Sequence, residues 1–144
     1  MKLFRNLITL ILLASAAIAV QAQDRPLLTA DVPFAFTVDD VQMPAGSYTV
    51  SSLASYGSLM VRNADGRHVA FIRAMNSTEL QRASEGKLVF RQIGNDFFLT
   101  QVWERGSDTH REVRNGKRAT QLARNSSAPQ LVTVLATAKN GRHS

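Results

Sequence analysis

Few residues of this chain have the types and spacing that chemistry requires. His110 and Glu112 lie two residues apart in a predicted loop, and a transition-metal site needs more ligands than this pair supplies. The other histidines, His68 and His143, are distant in sequence, and the chain contains no cysteine. We therefore expect three exposed histidines, no bound metal and no cofactor.

Acid–base and nucleophilic catalysis have as little support. Asp39 and Asp40 are adjacent, so on a strand their carboxylates would point to opposite faces, and we interpret them as solvated turn residues. Serines are frequent, but the chain has neither a Gly-x-Ser-x-Gly elbow nor a glycine-rich phosphate loop. The sequence predicts a protein that is not an enzyme. A hydrolase is the weaker alternative, because it requires a nucleophile, a base and oxyanion donors that converge only in space.

A basic stretch near the C-terminus is the candidate contact surface. The whole chain has a net charge of +6, and residues 105–144 contain eight basic and two acidic residues. Such a surface attracts anionic partners. Its central part has no aromatic ring of Phe, Tyr or Trp to stack on bases, so we expect an anionic envelope polymer or a membrane surface rather than nucleic acid. The predicted contact residues are Arg111, Arg114, Lys117 and Arg118.

Aromatic residues in the predicted strands are a second candidate binding site. They either line an apolar cavity for a small ligand or fill the core, since side chains alone can fill a small barrel. Trp103 precedes Glu104 and Arg105, and its indole N–H needs a polar partner. It is therefore the candidate for the mouth of such a cavity. The predicted pocket residues are Phe36, Phe90 and Trp103.

The N-terminus has the features of a secretory signal peptide. Lys2 and Arg5 precede an uncharged apolar run at residues 7–20, and small residues follow up to Ala22. The run is 14 residues long, shorter than the roughly 20 residues of a spanning helix. We expect cleavage after Ala22 and a periplasmic or extracellular protein that folds without disulfides.

The remaining chain alternates apolar and polar residues in short runs, which is the period of β-strands. Residues 32–50, "VPFAFTVDDVQMPAGSYTV", predict two strands joined by a connection with a Pro-Ala-Gly turn. Asp-Gly and Gly-Asn pairs predict two tighter hairpins further on, because such turns need positive φ. Residues 130–137, "QLVTVLAT", predict a last strand that covers a sheet edge. The three predicted turns lie at residues 44–46, 65–66 and 94–95.

Two segments lack this alternation. Asn76, with Glu79 three residues later, has the pattern of a helix N-terminus and predicts a short helix at residues 77–83. The basic excursion, which we define as residues 105–128, is polar and contains Asn-Gly at residues 115–116. It predicts either one or two helical turns around residues 118–124 or a mobile loop.

These patterns together predict one mainly β domain. Its fold is expected to be an antiparallel β-sandwich or a small β-barrel of about seven strands, with one short helix. Alternation alone does not distinguish sandwich from barrel. The predicted organisation is a signal peptide at 1–22, an extended lead-in at 23–30, a β domain at 31–137 that includes the basic excursion, and a disordered tail at 138–144.

The stretches "VPFAFTV…MPAGSYTV" and "KLVFRQIGNDFFLTQVW" resemble a group of small exported bacterial proteins whose function is unknown. Those proteins combine a signal peptide with a Val-Pro-Phe-x-Phe strand, a Pro-Ala-Gly-x-Tyr turn and a Phe-Leu-x-x-Val-Trp strand. The resemblance covers most of the chain after the signal peptide. It implies an exported β domain, and it carries over no catalytic residue and no function.

From the sequence we thus predict an exported, non-enzymatic β domain with a binding or structural role in the cell envelope. Its contact with anionic partners is expected to run through the basic excursion. The alternative is a carrier of a small apolar ligand in a cavity of the sheet. The sequence makes no prediction of the oligomeric state.

Overall fold

The computed structural model describes residues 24–54, 57–126 and 128–137. The predicted signal peptide and the predicted tail lie outside the described residues. Within them, ten strands form one mixed sheet and there is one α-helix, so the mainly β prediction is confirmed. The strands are β1 (Arg25–Val32), β2 (Phe36–Val38), β3 (Val41–Met43), β4 (Gly46–Ser52), β5 (Ser58–Asn63), β6 (Val69–Thr78), β7 (Gly86–Ile93), β8 (Asp96–Trp103), β9 (Thr109–Val113) and β10 (Gln130–Ala136), and the helix is α1 (Lys117–Asn125).

The prediction of about seven strands was too low for three reasons. The lead-in is itself a strand, because β1 begins at Arg25 and pairs with β4. The first predicted hairpin is also divided into two pairs, β1 with β4 and β2 with β3. Pro33 and Pro44 lie at this division, and a proline has no N–H to donate to the ladder. The third additional strand, β9, lies in the basic excursion.

The first hairpin reverses at Asp39 and Asp40 rather than at the predicted Pro-Ala-Gly turn. Val38 pairs with Val41, so the loop has two residues, and their φ angles are 43° and 72°. Two-residue turns of this kind need positive φ at both central positions, which aspartate tolerates better than most residues. The Pro-Ala-Gly segment instead forms the corner between β3 and β4. There the hydroxyl of buried Tyr48 donates a hydrogen bond to the carbonyl of Pro44.

The two tighter hairpins are confirmed. Asp65-Gly66 joins β5 to β6 and Gly94-Asn95 joins β7 to β8, with φ angles of 75° and 62° at the two glycines. At the first turn, a carboxylate oxygen of Asp65 accepts the N–H of Arg67 at 2.8 Å. These two turns join β5 to β6 and β7 to β8, and all four strands contribute side chains to the core.

The long strand β6 connects the part of the sheet that contains β5 to the part that contains β9. Its first half pairs with β5 and its second half with β9, and the order continues through β8 and β7 to β10. Most pairs are antiparallel, and a single parallel bridge between Thr37 and Phe98 joins β2 to β8. Thr29 of β1 and Thr137, which follows β10, exchange two backbone hydrogen bonds of 3.0 and 2.9 Å. The first and last strands therefore touch.

The prediction of a helix at residues 77–83 was wrong. Ser77 and Thr78 belong to β6, where they pair with β9, and the N–H of Glu79 donates to the carbonyl of Asp108 at 2.8 Å. Pairing with a distant strand thus overrides the local capping pattern. The helix lies instead in the basic excursion, so the helical alternative for residues 118–124 is confirmed by α1.

The buried apolar side chains form one large cluster between the two parts of the sheet and a smaller one under the helix. In the large cluster, the ring of Phe36 contacts Tyr48 and Phe90 edge-on, at centroid distances of 5.0 and 5.2 Å. In the smaller cluster, Ala119 of α1 packs with Phe98. Because Leu99, the next residue, faces the large cluster, α1 covers the opposite face of β8. This packing holds the helix at the outer surface of the sheet.

Candidate anion-binding cleft

The outer face of β6 presents an arginine between two exposed apolar side chains. Ile72 is buried in the large cluster, so the alternation of a strand directs Phe71, Arg73 and Met75 outward. Phe71 is 67% exposed and Met75 is 73% exposed. Exposed apolar residues that cluster on one face mark an interaction surface more often than scattered ones do.

A short connection between β9 and α1 lies beside this face. β9 ends at Val113, which is buried in the large cluster, and α1 begins at Lys117. Between them, Arg114 and Asn115 are exposed. The connection is anchored at one end by core packing and at the other by the helix, so it holds these side chains against β6.

Three adjoining cavities meet at Arg114 and Asn115. The first, of about 530 Å3, extends to the turn at Asp39 and Asp40 and to Phe71. The second, of about 560 Å3, extends along β6, and the third, of about 340 Å3, follows α1. Small-molecule sites usually measure roughly 300–1,000 Å3. We call this region the Arg114 cleft and define it by Phe71, Arg73, Met75, Arg114, Asn115 and Lys117.

The N-terminus of α1, at one wall of the cleft, is capped by a residue from the first hairpin. The carboxylate of Asp40 accepts the backbone N–H groups of Lys117 and Arg118 at 3.2 and 3.3 Å. The N-cap residue itself is Gly116, which has no side chain for this purpose. A Cβ at Gly116 would lie 2.9 Å from the backbone nitrogen of Asp40. Only glycine therefore lets the turn approach the helix this closely.

Among the described residues, the cations of the cleft form no close ion pair with the acids nearby. Within the described residues, Arg73, Arg114 and Lys117 form no ion pair within 4.0 Å. Three acids line the same cavities: Asp40 caps α1, Glu112 lies 3.3 Å from the Nε2 atom of His110, and Asp39 is exposed at the hairpin turn. The N–H donors of these three cationic side chains are therefore not held in close ion pairs and can donate to an anion.

The structure separates the four contact residues predicted from the sequence. Arg114 and Lys117 line the cleft. Arg118 turns to Asp96, whose two carboxylate oxygens lie 3.2 and 3.4 Å from its Nη2 atom. Arg111 is half-buried on β9, on the same face of the strand as core residue Val113.

Three cleft residues were missed by the sequence analysis. Phe71, Arg73 and Met75 come from a different hairpin, and their closeness to Arg114 depends on the pairing of β6 with β9. A signal was present in "VAFIRAM", where the charged Arg73 marks its face of the strand as the outer one. Phe71 and Met75 share that face.

The three predicted pocket residues lie in two places. Phe36 and Phe90 are buried together in the core. Trp103 lies on the other face of β8, because its neighbour Val102 faces the core. Its ring stacks on His110 at 4.1 Å, and its N–H donates to the side chain of Gln101 at 3.0 Å. The indole thus has the polar partner that its chemistry requires, supplied from its own strand.

His110 differs from the expectation of an exposed loop histidine. It lies on β9 and is 1% exposed, under the ring of Trp103. Its Nδ1 atom has no hydrogen-bond partner among the described residues. Three or more histidine, aspartate or glutamate residues suited to a metal ion do not come together in the part of the chain that the structure describes.

Comparison with known proteins gives no match to a protein-family model, a curated protein or a solved structure. Among the helical residues described, no segment is long and apolar enough to cross a membrane.

Proposed function

We propose that this protein is an exported β domain that binds an anionic component of the cell envelope through the Arg114 cleft. The observation that supports this function is the grouping of Arg73, Arg114 and Lys117 around adjoining cavities, with no ion pair within 4.0 Å among the described residues. Guanidinium groups bind carboxylate and phosphate in a bidentate manner, and lysine adds a mobile positive charge. The cleft is a binding site in this proposal and performs no covalent chemistry.

The location and the arrangement of the sheet belong to the same proposal. The charged, apolar and small-residue regions of residues 1–22 support export. Of the two predicted arrangements, the hydrogen bonds between Thr29 and Thr137 support the small β-barrel, because they join the first and last strands. A filled core, with Phe36 against Phe90, leaves binding to the outer surface.

The proposal is tested with two anionic probes, polygalacturonate in solution and vesicles that contain phosphatidylglycerol. The protein is residues 23–144, and binding is measured by biolayer interferometry at low salt and at about 0.3 M salt, where screening is strong. We expect binding of at least one probe at low salt. The triple variant Arg73→Gln, Arg114→Gln, Lys117→Gln should bind at least about tenfold more weakly, given the strength of charged hydrogen bonds.

The matched control removes three other exposed positive charges, with the variant Arg62→Gln, Arg67→Gln, Arg82→Gln. Its net charge equals that of the cleft variant, so a specific cleft predicts a loss only in the latter. Equal losses in both variants would reduce the interaction to net charge and contradict the proposal. Thermal unfolding of each variant checks that the fold is intact.

A further inference from the structure

We infer that the anionic partner of the Arg114 cleft is the surface of a phospholipid bilayer, an inference that rests on the proposed function. The cleft combines cations with exposed apolar side chains on one strand. Along β6, Phe71, Arg73 and Met75 follow one another at steps of two residues, roughly 6.7 Å each. The positive charge therefore lies between two apolar side chains, both more than half exposed.

A bilayer surface uses both kinds of side chain, whereas a dissolved acidic polymer uses only one. At the boundary between headgroups and acyl chains, phenylalanine and methionine side chains leave water while arginine and lysine meet lipid phosphates. A hydrated polysaccharide offers no apolar region of comparable depth. The exposure of Phe71 and Met75 next to Arg73 is therefore explained by lipid and left unexplained by a soluble polyanion.

The shape of the cleft gives the headgroup a defined place. The two larger cavities, of about 530 and 560 Å3, share Arg73, Arg114 and Asn115. A phosphate between the two guanidinium groups would receive their N–H donors. Phe71 lines the first cavity and Met75 the second, so the two apolar side chains flank the headgroup position.

The charge of the cleft depends on the acids that line it as well as on its cations. Asp40 is held by the N-terminus of α1 and Glu112 by His110. Asp39 is exposed at the hairpin turn and lines the first cavity. The three cavities are lined by four cations, Arg73, Arg114, Lys117 and Arg124, and by these three acids, so a small excess of positive charge remains. This charge complementarity favours a membrane that contains anionic lipid over a purely zwitterionic one.

The test compares vesicles of phosphatidylcholine alone, vesicles of phosphatidylcholine with phosphatidylglycerol, and soluble polygalacturonate. Vesicle binding is measured by co-sedimentation. We expect binding to the anionic vesicles and little binding to pure phosphatidylcholine. The variant Phe71→Ser, Met75→Ser should lose at least about tenfold in affinity for the anionic vesicles, since it removes two apolar side chains from the lipid contact. The matched control, Leu80→Ser with Leu131→Ser, removes two exposed leucines elsewhere and should bind as the parent does.

A second measurement reports insertion directly. Phe71→Trp places an indole at the rim of the cleft, and its emission should shift to shorter wavelength with anionic vesicles and be quenched by brominated lipid. Leu80→Trp, at another exposed position, should show neither effect. Trp103 contributes the same background to both variants.

The outcomes separate this inference from the proposed function. Binding to polygalacturonate without binding to anionic vesicles would overturn the membrane inference and leave the anion-binding function standing. Binding to neither probe would overturn both. Vesicle binding that is unchanged in Phe71→Ser, Met75→Ser, with no spectral shift in Phe71→Trp, would also overturn the membrane contact described above.

Discussion

Asp40 and Lys117 lie 77 residues apart in the chain, yet the carboxylate of the first accepts the backbone N–H of the second at 3.2 Å. The same carboxylate accepts the next N–H, that of Arg118. The turn of the first hairpin thereby completes the N-terminus of α1, whose own N-cap residue is a glycine. The wall of the Arg114 cleft depends on this contact.

Replacing Asp40 should loosen that wall. In Asp40→Asn, the charge that interacts with the helix dipole is lost, together with one of two acceptor oxygens. We expect a decrease in the free energy of unfolding of about 0.5–1 kcal/mol, measured by urea denaturation. Asp39→Asn is the matched control, since it alters the adjacent turn residue without touching α1. Equal effects of the two substitutions would show that the turn, and not the cap, is responsible.

Gly116 should tolerate no side chain. In Gly116→Ala the new Cβ would meet the backbone nitrogen of Asp40, which cannot move aside as a flexible side chain can. We expect a loss of about 1–3 kcal/mol in the free energy of unfolding. Gly86→Ala is the control, because its nearest neighbours would be 3.5 Å away, an ordinary contact. A Gly116→Ala protein as stable as the Gly86→Ala protein would contradict the close approach.

The hydrogen bond from Tyr48 to Pro44 should stabilise the fold, and the free energy of unfolding should depend on pH through the Tyr48 hydroxyl. Tyr48→Phe should lower the free energy of unfolding by about 1 kcal/mol at neutral pH. Burial, and to a smaller extent the negative charge of Asp65, raise the pKa of Tyr48 above its ordinary value. Below that ordinary value, about 10, both states keep the phenolic proton. Above it the unfolded chain loses the proton first, so stability falls as pH rises.

Urea denaturation between about pH 8 and 11 measures this dependence, in the range set by the ordinary pKa of tyrosine. The Tyr48→Phe protein should have a flatter profile than the parent at the alkaline end. Identical slopes in the two proteins would mean that Tyr48 ionises as readily in the folded state as in the unfolded chain.

Substitutions of Arg114 and Arg118 should have different effects on stability and on anion binding. Arg118→Gln removes a half-exposed ion pair with Asp96, which should change the free energy of unfolding by at most about 1 kcal/mol and leave anion binding unchanged. Arg114→Gln should weaken anion binding and leave stability unchanged. Thermal unfolding and vesicle co-sedimentation on the same two variants check both statements. A reversed pattern would place the binding surface at Arg118.

The sequence predicted those parts of the fold that local chemistry decides. The Asp65-Gly66 and Gly94-Asn95 hairpins follow from the need for positive φ at the turn. The prediction of a helix at residues 77–83 was wrong because strand pairing competes with the capping pattern of Asn76 and Glu79. The pairing partner, β9, lies in a polar segment that was not predicted to be a strand.

The same reason limits what could be predicted of the site. Arg114 and Lys117 were identified by their charge alone. Arg118 was not distinguished from them, because the position of Asp96 is a property of the folded sheet. Arg73 was missed, since its neighbour Arg114 directly follows β9, and β9 pairs with β6 only in the tertiary structure.

The hydrogen bonds between Thr29 and Thr137 have a consequence for the order of folding. During synthesis β1 emerges early, but its second neighbour emerges only with the last described residues. Contacts between such distant positions form slowly, because a long loop must close first. Until then the outer edge of β1 is an unpaired strand edge, the kind of surface that promotes aggregation. A chain shortened before β10 would keep this edge permanently open, along with the edge of β7 that β10 covers.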